Sequence, residues 1–130
     1  MGRSYYVGNS YDDYVKIDLM YTDSFICEVE IINGIRMAAV DDIVAMKMNV
    51  VLRGGRKKDF WDLHYLLNYY SLTQMLLLHE KRHEWEHNTL ELIHNFTDFS
   101  IADKMLDPIC LLGKDWDIIK LDLIEYVENM

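Results

Sequence analysis

The stretch of residues 41–67 constrains the fold more than any other part of the sequence. It contains two helical patterns free of glycine and proline, and a basic turn with two consecutive glycines separates them. Asp41 or Asp42 can cap the first helix, which we expect to end near Leu52, and the second helix is expected to begin near Lys57. The sequence therefore predicts two consecutive helices joined by a short basic turn.

Lys47 lies inside the apolar stripe of the first helix. Its helical neighbours, three and four positions away, are all apolar: Ile43, Val44, Val50 and Val51. A lysine in this position loses hydration, so it needs either a buried carboxylate partner or an anionic ligand. Alternatively, its stem packs while its ammonium group reaches water.

Two aspartates accompany the second helix, whose apolar stripe consists of Phe60, Leu63, Leu67 and Tyr70. Asp59 and Asp62 are three positions apart and share a face beside this stripe. A carboxylate in the first turn is stabilised by the amide dipoles, which is sufficient to explain Asp59. The same explanation is weaker for Asp62, which lies deeper and follows Lys58 in the less favourable order for a helical ion pair.

Four cations surround the glycine pair between the helices: Arg53, Arg56, Lys57 and Lys58. Consecutive glycines permit positive φ angles and let backbone amides approach an anion, and the cations add charge. The turn therefore suits a phosphate, although an ordinary solvated turn has the same composition.

The first 40 residues predict antiparallel strands. Residues 5–7 can form an edge strand, and residues 14–21 alternate between apolar and polar side chains as a half-buried strand does. Lys16 and Asp18 share one face of that strand. Strands over 27–32 and 35–40 are expected to flank Asn33 and Gly34, a pair that favours a tight hairpin turn.

Residues after Tyr70 predict further helices. Ser71 and Gln74 have the capping-box spacing at the start of a helix over 72–83. Helices are also expected over 88–96, 99–106 and 115–128. Pro108 ends the helix over 99–106, because the residue before a proline disfavours the helical conformation. We expect residues 1–130 to form a single domain, with strands in 1–40 and helices in 41–130.

The helix over 72–83 contains H-E-K-R-H, which matches the zinc-protease motif in form. His79 and His83 would lie on one face, with Glu80 as the base, and His87 extends the row. Charged residues around the motif favour a solvated helix face instead: Lys81, Arg82, Glu84 and Glu86. We therefore give the zinc-hydrolase interpretation the lowest weight and leave open fortuitous binding of zinc or nickel.

Charge and cysteine usage restrict the class of protein. The net charge of −9 opposes general adhesion to nucleic acid, because such binding comes largely from neutralised phosphates. Cys27 and Cys110 show no metal-binding spacing, which favours free thiols in a reducing compartment. Because there is no signal peptide and no apolar run of about 18 residues, we expect a soluble, cytoplasmic protein without membrane contact.

A known family shares the order of these features. IRMAAVDDIVAMKMNVVLRGGRKKDFWDLHYLL contains an apolar strand, an acidic helix start, A-x-K, a basic turn and K-D-x-x-D-L-x-x-L-L. This order resembles the nucleotidyltransferase-like abortive-infection toxins of the AbiEii/AbiGii type, and with the V-K-I-D-L strand the resemblance begins near Tyr14. It implies an α+β fold, in which a small antiparallel β-sheet precedes a bundle of about five helices, as in the C-terminal part of a polymerase-β-type nucleotidyltransferase.

The resemblance also implies site residues. Those implied for catalysis are Asp18, Lys47, Asp59 and Asp62, and those implied for substrate binding are Lys58, Arg53 and Arg56. Asp18 in V-K-I-D-L matches a strand carboxylate that holds metal in such enzymes, so it is expected to bind magnesium. Lys47 and Lys58 would hold phosphate, and either Asp59 or Asp62 would position the reacting groups.

The implied activity is transfer of a nucleotide from a nucleoside triphosphate to a hydroxyl of RNA or protein. The implied partners are that nucleotide, an RNA acceptor and a cognate antitoxin protein. Family members also carry a G-G-S/T-like phosphate loop and a D-x-D metal-binding pair, and the nearest segments here are Gly8-Asn9-Ser10 and Asp12-Asp13. We therefore expect the C-terminal portion of such an enzyme, active when an N-terminal half is supplied. The alternative is a non-catalytic interaction module that forms a homo-oligomer or binds a protein partner.

Overall fold

The computed structural model describes residues 2–130, with strands first and helices afterwards. Strands β1 (Gly2–Val7) and β2 (Val15–Met20) form one antiparallel sheet, and β3 (Glu30–Ile32) and β4 (Ile35–Met37) form another. The helices are α1 (Val40–Leu52), α2 (Lys57–Leu66), α3 (Leu72–Arg82), α4 (Thr89–Phe96) and α5 (Trp116–Glu128). The predicted α+β fold with five helices is confirmed, although the strands form two separate sheets.

Helix α1 is central to the helical part, because it packs against α2, α3 and α4, while α5 packs against α2. On its apolar stripe Val44, Met48 and Val51 are each 0% exposed, whereas Ile43 and Val50 are 37% and 40% exposed. On the other side of the core, the rings of Trp61 and Trp116 stack with centroids 5.7 Å apart and join α2 to α5. The helical packing therefore fixes the two ends of the basic turn relative to each other.

The predicted capping box at the start of α3 is confirmed. The Ser71 hydroxyl accepts from the Gln74 backbone amide at 3.2 Å, and the Gln74 side chain accepts from the Ser71 amide at 2.8 Å. The cap predicted for α1 is wrong, because this helix begins at Val40 with Ala39 at its N-cap. Asp41 instead accepts the Tyr70 hydroxyl at 2.6 Å, which raises the pKa of Tyr70 to about 12.

Three predicted elements are clearly shorter than expected, and the first is the strand predicted over 35–40, which ends at residue 37. The strand predicted over 27–32 begins only at residue 30, because the Cys27 amide donates to Asp42 instead of to a strand. The helix predicted over 99–106 is reduced to a 3₁₀ turn, Ala102–Lys104. There the Ser100 amide donates to the Asp98 side chain at 3.1 Å, a local bond that competes with helix formation.

The sheet of β1 and β2 stands apart from the helical core. Its register places one set of apolar residues on a single face, and we call this set the hairpin face: Tyr5, Val7, Val15, Ile17 and Leu19. All five are between 42% and 64% exposed, so the prediction of a half-buried strand is wrong. Lys16 and Asp18 do share the opposite face, with 3.2 Å between Lys16 Nζ and Asp18 Oδ2.

The hydropathy of the helices is moderate. Within residues 2–130 no helix is both long enough and apolar enough to cross a membrane.

Candidate functional site

Lys47 lies between the two aspartates of α2. Its Nζ atom is 2.6 Å from Asp62 Oδ2 and 3.3 Å from Asp59 Oδ1. The Lys47 side chain is 28% exposed, Asp59 is 2% exposed and Asp62 is 51% exposed. The structure therefore shows a carboxylate partner for the lysine in the apolar stripe, and it brings together three of the predicted site residues.

Asp59 is held rigidly within this cluster. Its Oδ2 atom accepts the Arg56 backbone amide at 3.0 Å, which caps the first turn of α2. The Arg56 Nε atom lies 3.5 Å from the same oxygen. Asp59 thus interacts with a backbone amide at the start of α2, and its other oxygen remains directed to Lys47.

The charge state of Lys47 follows from this arrangement. Burial of the ammonium group acts to lower the pKa of Lys47, but the hydrogen bond and charge of Asp62 and the charge of Asp59 outweigh it and raise the pKa. Lys47 is therefore a fixed cation that is paired with two carboxylates.

The glycine pair sets the distance between α1 and α2. Gly54 has a φ of +88°, a conformation that favours glycine. A Cβ atom at Gly55 would lie 3.0 Å from Val51 Cγ2 and 3.4 Å from Phe60 Cε2. The turn is therefore closely packed against both helices that carry the cluster.

The cations of the basic turn point to different partners. The Arg53 Nη2 atom donates to both carboxylate oxygens of Glu86, at 2.7 and 2.8 Å. Lys57 is buried, pairs with Asp107 at 2.9 Å and lies 5.2 Å from the ring centroid of Trp116. Lys58 is exposed. The structure thus does not gather Arg53, Arg56 and Lys58 around one point.

Asp18 belongs to a separate group of contacts on the hairpin. It accepts the Ser4 hydroxyl at 2.5 Å, and this bond, together with Lys16 and the more distant charge of Lys58, lowers the pKa of Asp18. Within residues 2–130 no three histidine, cysteine or acidic side chains are placed to hold a metal ion.

A comparison with known families identifies the chain. The family described as nucleotidyl transferase AbiEii toxin, of the Type IV toxin–antitoxin system, matches residues 2–129. The chain belongs to this toxin family. Membership indicates an antitoxin counterpart and a nucleotidyltransferase ancestry. No curated protein and no solved structure matches the sequence.

Two histidines of the row in this toxin-family protein, His79 and His87, are hydrogen-bonded to each other, whereas His83 Nδ1 lies 3.4 Å from Asp23 Oδ2. His79 is fully buried, and its Nε2 atom donates to Asn49 Oδ1 at 3.1 Å, so its Nδ1 atom accepts from His87 Nδ1 at 2.8 Å. Burial and the neighbouring charges of His83 and His87 lower the pKa of His79 to about 4. Both His79 nitrogens are thus engaged, which supports the low weight given to the zinc motif.

The toxin-family chain also contains a buried ion pair that the sequence analysis missed. Arg82 and Asp42 lie 2.6 Å apart with side chains 0% exposed, so the predictions of a solvated Arg82 and a capping Asp42 are wrong. Arg82 lies three positions after His79 and seven after Met75, on the buried stripe of α3. This helical spacing was the available signal for a buried arginine.

The pair attaches the segment before β3 to the helices. Arg82 donates to the Ser24 carbonyl at 3.0 Å, the Asp23 carbonyl at 3.1 Å and the Thr22 hydroxyl at 2.8 Å. Asp42 accepts the backbone amide of Ile26 at 3.0 Å, as it does that of Cys27. Residues 22–27 are thus held between α1 and α3 by charge-assisted hydrogen bonds.

Proposed function

We propose that this chain is part of a nucleotidyltransferase-type toxin that transfers a nucleotide from a nucleoside triphosphate to a hydroxyl of RNA or protein. Family membership supports the reaction class. The observation that carries the assignment of residues is the Lys47 ammonium group held between Asp59 and Asp62. In this proposal, the D-x-D pair that the resemblance implies would have to come from another segment.

Lys47 neutralises phosphate charge in this proposal. Asp59 is buried and keeps the ammonium group in place, whereas Asp62 is 51% exposed and can be replaced by a phosphate oxygen. Phosphoryl transfer requires positioned positive charge more than covalent chemistry by the protein. Lys58, and Arg53 and Arg56 after rearrangement of their ion pairs, would add charge at the edge of the site.

The proposal includes a magnesium ion that Asp18 would help to bind. This carboxylate would supply one oxygen ligand, and the remaining ligands would come from the segment that carries the D-x-D pair. Bound magnesium would supply charge neutralisation to the phosphates. The role of the described residues is limited to binding and orienting the nucleotide.

Calorimetric titration with each nucleoside triphosphate, with and without magnesium, tests the phosphate-binding role. We expect a Kd of about 1 mM or tighter, and Lys47→Ala should weaken binding about tenfold because it removes the held cation. Asp62→Asn should preserve or tighten binding, since it removes the carboxylate that competes with phosphate. If Lys47 served only as a structural link, the folded Lys47→Ala variant would bind nucleotide with the same Kd as the wild type.

Lys81→Ala provides the matched control, because Lys81 is an exposed lysine on α3. It changes the net charge by the same amount as Lys47→Ala, so equal weakening by both variants would indicate general electrostatic attraction. Circular dichroism of each variant checks that the helices are retained. Absence of binding in the folded wild-type chain at millimolar nucleotide overturns the proposed role of Lys47.

The hairpin face favours a second candidate function, a non-catalytic interaction module. Its five apolar side chains are all at least 42% exposed, and exposed apolar surface of this kind is typical of interaction sites. This function requires a homo-oligomer or a stable complex with a protein such as the antitoxin. Light scattering over a range of concentrations tests the homo-oligomer, and titration with the cognate antitoxin tests the complex.

A further inference from the structure

The β1–β2 hairpin is joined to the helical part through a short segment that begins just after β2. Within residues 2–130, neither sheet packs extensively against a helix. A cavity of about 360 Å³ lies between α1 and the chain at Met20 and Tyr21. Only Tyr21 separates the end of β2 from Thr22, whose hydroxyl is bonded to Arg82 of α3. The position of the hairpin relative to the helices is therefore set mainly at Thr22 and the residues that follow it.

The Arg82 side chain fixes this connection with a geometry that requires a guanidinium group. Its Nη2 atom donates to the Thr22 hydroxyl and the Asp23 carbonyl, and its Nη1 atom donates to the Ser24 carbonyl and to Asp42 of α1. The planar fork spans acceptors on two different segments, which the single nitrogen of a lysine cannot do. Three consecutive residues after β2 are thus held against α1 and α3 by one buried side chain.

The polar face of the hairpin is directed towards the start of α2. Lys16 and Asp18 lie on this face, and the charge of Lys58, the second residue of α2, contributes to lowering the pKa of Asp18. Lys58 is adjacent to Asp59, which contacts Lys47. Because a strand rises about 3.3 Å per residue, Asp18 lies within about 13 Å of Thr22. A rotation of the chain at Thr22 would therefore move Asp18 relative to Lys58.

We propose that Arg82 is a positioning residue of the nucleotide site, which fixes the polar face of the β1–β2 hairpin relative to the start of α2. This inference rests on the proposed function, since the orientation matters for binding only where a nucleotide contacts both elements. Arg82 is buried and acts through residues 22–24 rather than on the nucleotide. Without its guanidinium the hairpin would reorient as a unit, whereas the Lys47 cluster is built from α1 and α2 and would remain.

Residual dipolar couplings of the backbone amides, measured by nuclear magnetic resonance, test the orientation directly. In the wild type, the hairpin and the helices should share one alignment tensor. Arg82→Lys keeps a positive charge beside Asp42 but cannot reach all four acceptors, so the hairpin couplings should no longer fit the tensor of the helices. Arg36→Lys is the matched control, because Arg36 is exposed on β4, and it should retain the single tensor.

A pair of substitutions at Thr22 tests the same contact while the Arg82–Asp42 pair stays intact. Thr22→Val removes the hydroxyl that accepts from Arg82 at 2.8 Å, so the hairpin couplings should depart from the shared tensor. Thr22→Ser keeps the hydroxyl and should behave as the wild type does. If the hairpin in folded Arg82→Lys and in Thr22→Val still shares the tensor of the helices, the positioning role is overturned.

Nucleotide titration of the same proteins measures the consequence for binding. In magnesium, Arg82→Lys should weaken nucleotide binding about fivefold, and without magnesium its Kd should equal that of the wild type. Asp18→Asn should show the same pattern, whereas a general loss of stability would weaken binding in both conditions. Unchanged binding by folded Arg82→Lys in magnesium would overturn the inference. Absence of binding in the wild type would overturn the proposed function instead, and the couplings would still decide whether Arg82 fixes the hairpin.

Discussion

The helical part and the β1–β2 hairpin differ in how their apolar residues are used. In the helices the apolar stripes are buried, so that Val44, Leu63 and Ile119 are each 0% exposed. In the hairpin, Ile17 and Leu19 alternate as regularly but remain 42% and 57% exposed. An apolar pattern thus specifies a strand or helix, whereas burial depends on whether another element is present to cover it.

The same contrast separates the candidate site residues. Lys47 and Asp59 are positioned by packed helices, and a buried cap holds Asp59 in place. Asp18 is positioned only by Ser4 and Lys16 on a sheet of two strands, and such sheets are marginally stable alone. The proposed phosphate binding would therefore depend on the rigid helical region, and the proposed metal binding would depend on the less supported hairpin.

Breaking the Arg82–Asp42 pair should have the largest effect on stability. Arg82→Met leaves a buried carboxylate without its partner and releases residues 22–27, so we expect a loss of roughly 3–5 kcal/mol in the free energy of unfolding. Urea denaturation followed by the fluorescence of Trp61 and Trp116 measures it. Arg53→Met, which breaks an exposed pair, should change the same quantity by less than about 1 kcal/mol. Similar values for both variants would contradict the importance of burial.

Acidification should destabilise the helical part through His79. Its pKa is about 4 in the folded chain and about 6.5 in an unfolded chain, so the unfolded state takes up a proton first as the pH falls. The contribution of neutral His79 to the free energy of unfolding is fully present above about pH 6.5. It is lost progressively as the pH falls to about 4, by about 3 kcal/mol in total. Comparing urea denaturation of the wild type with that of His79→Gln across this range isolates the contribution. An equal pH dependence of the free energy of unfolding in the two proteins would contradict the proposed contribution of His79.

Substitution on the hairpin face should have the smallest effect. Leu19→Ala removes a side chain that is 57% exposed, so we expect a change within about 0.5 kcal/mol in the free energy of unfolding. Leu63→Ala, in the core, should cost roughly 2–5 kcal/mol by the same measurement. A large effect of Leu19→Ala would mean that the hairpin face is covered in solution.

Local spacing accounts for what the sequence could predict. Lys47, Asp59 and Asp62 lie within 16 residues of one another, and two helices joined by a short turn bring them together. The helix order and the Ser71 cap follow from patterns of the same short range. The predictions were therefore most accurate where the partners are near in sequence.

The missed features depend on contacts between distant residues. Arg82 and Asp42 are 40 residues apart, and the spacing of Arg82 within α3 indicates a buried position without naming its partner. The separation of the strands into two sheets likewise depends on tertiary contacts, since Asp42 binds the amides that would otherwise extend β3.

The glycine turn between α1 and α2 has a consequence for how the family can vary. Surface turns usually accept insertions, but this turn packs closely against Val51 of α1 and Phe60 of α2, so an added residue would disturb how the two helices lie against each other. Asp59 and Asp62 would then be displaced from Lys47, although no charged residue had been replaced. Relatives that retain the lysine cluster should therefore keep both the length of this turn and its glycines.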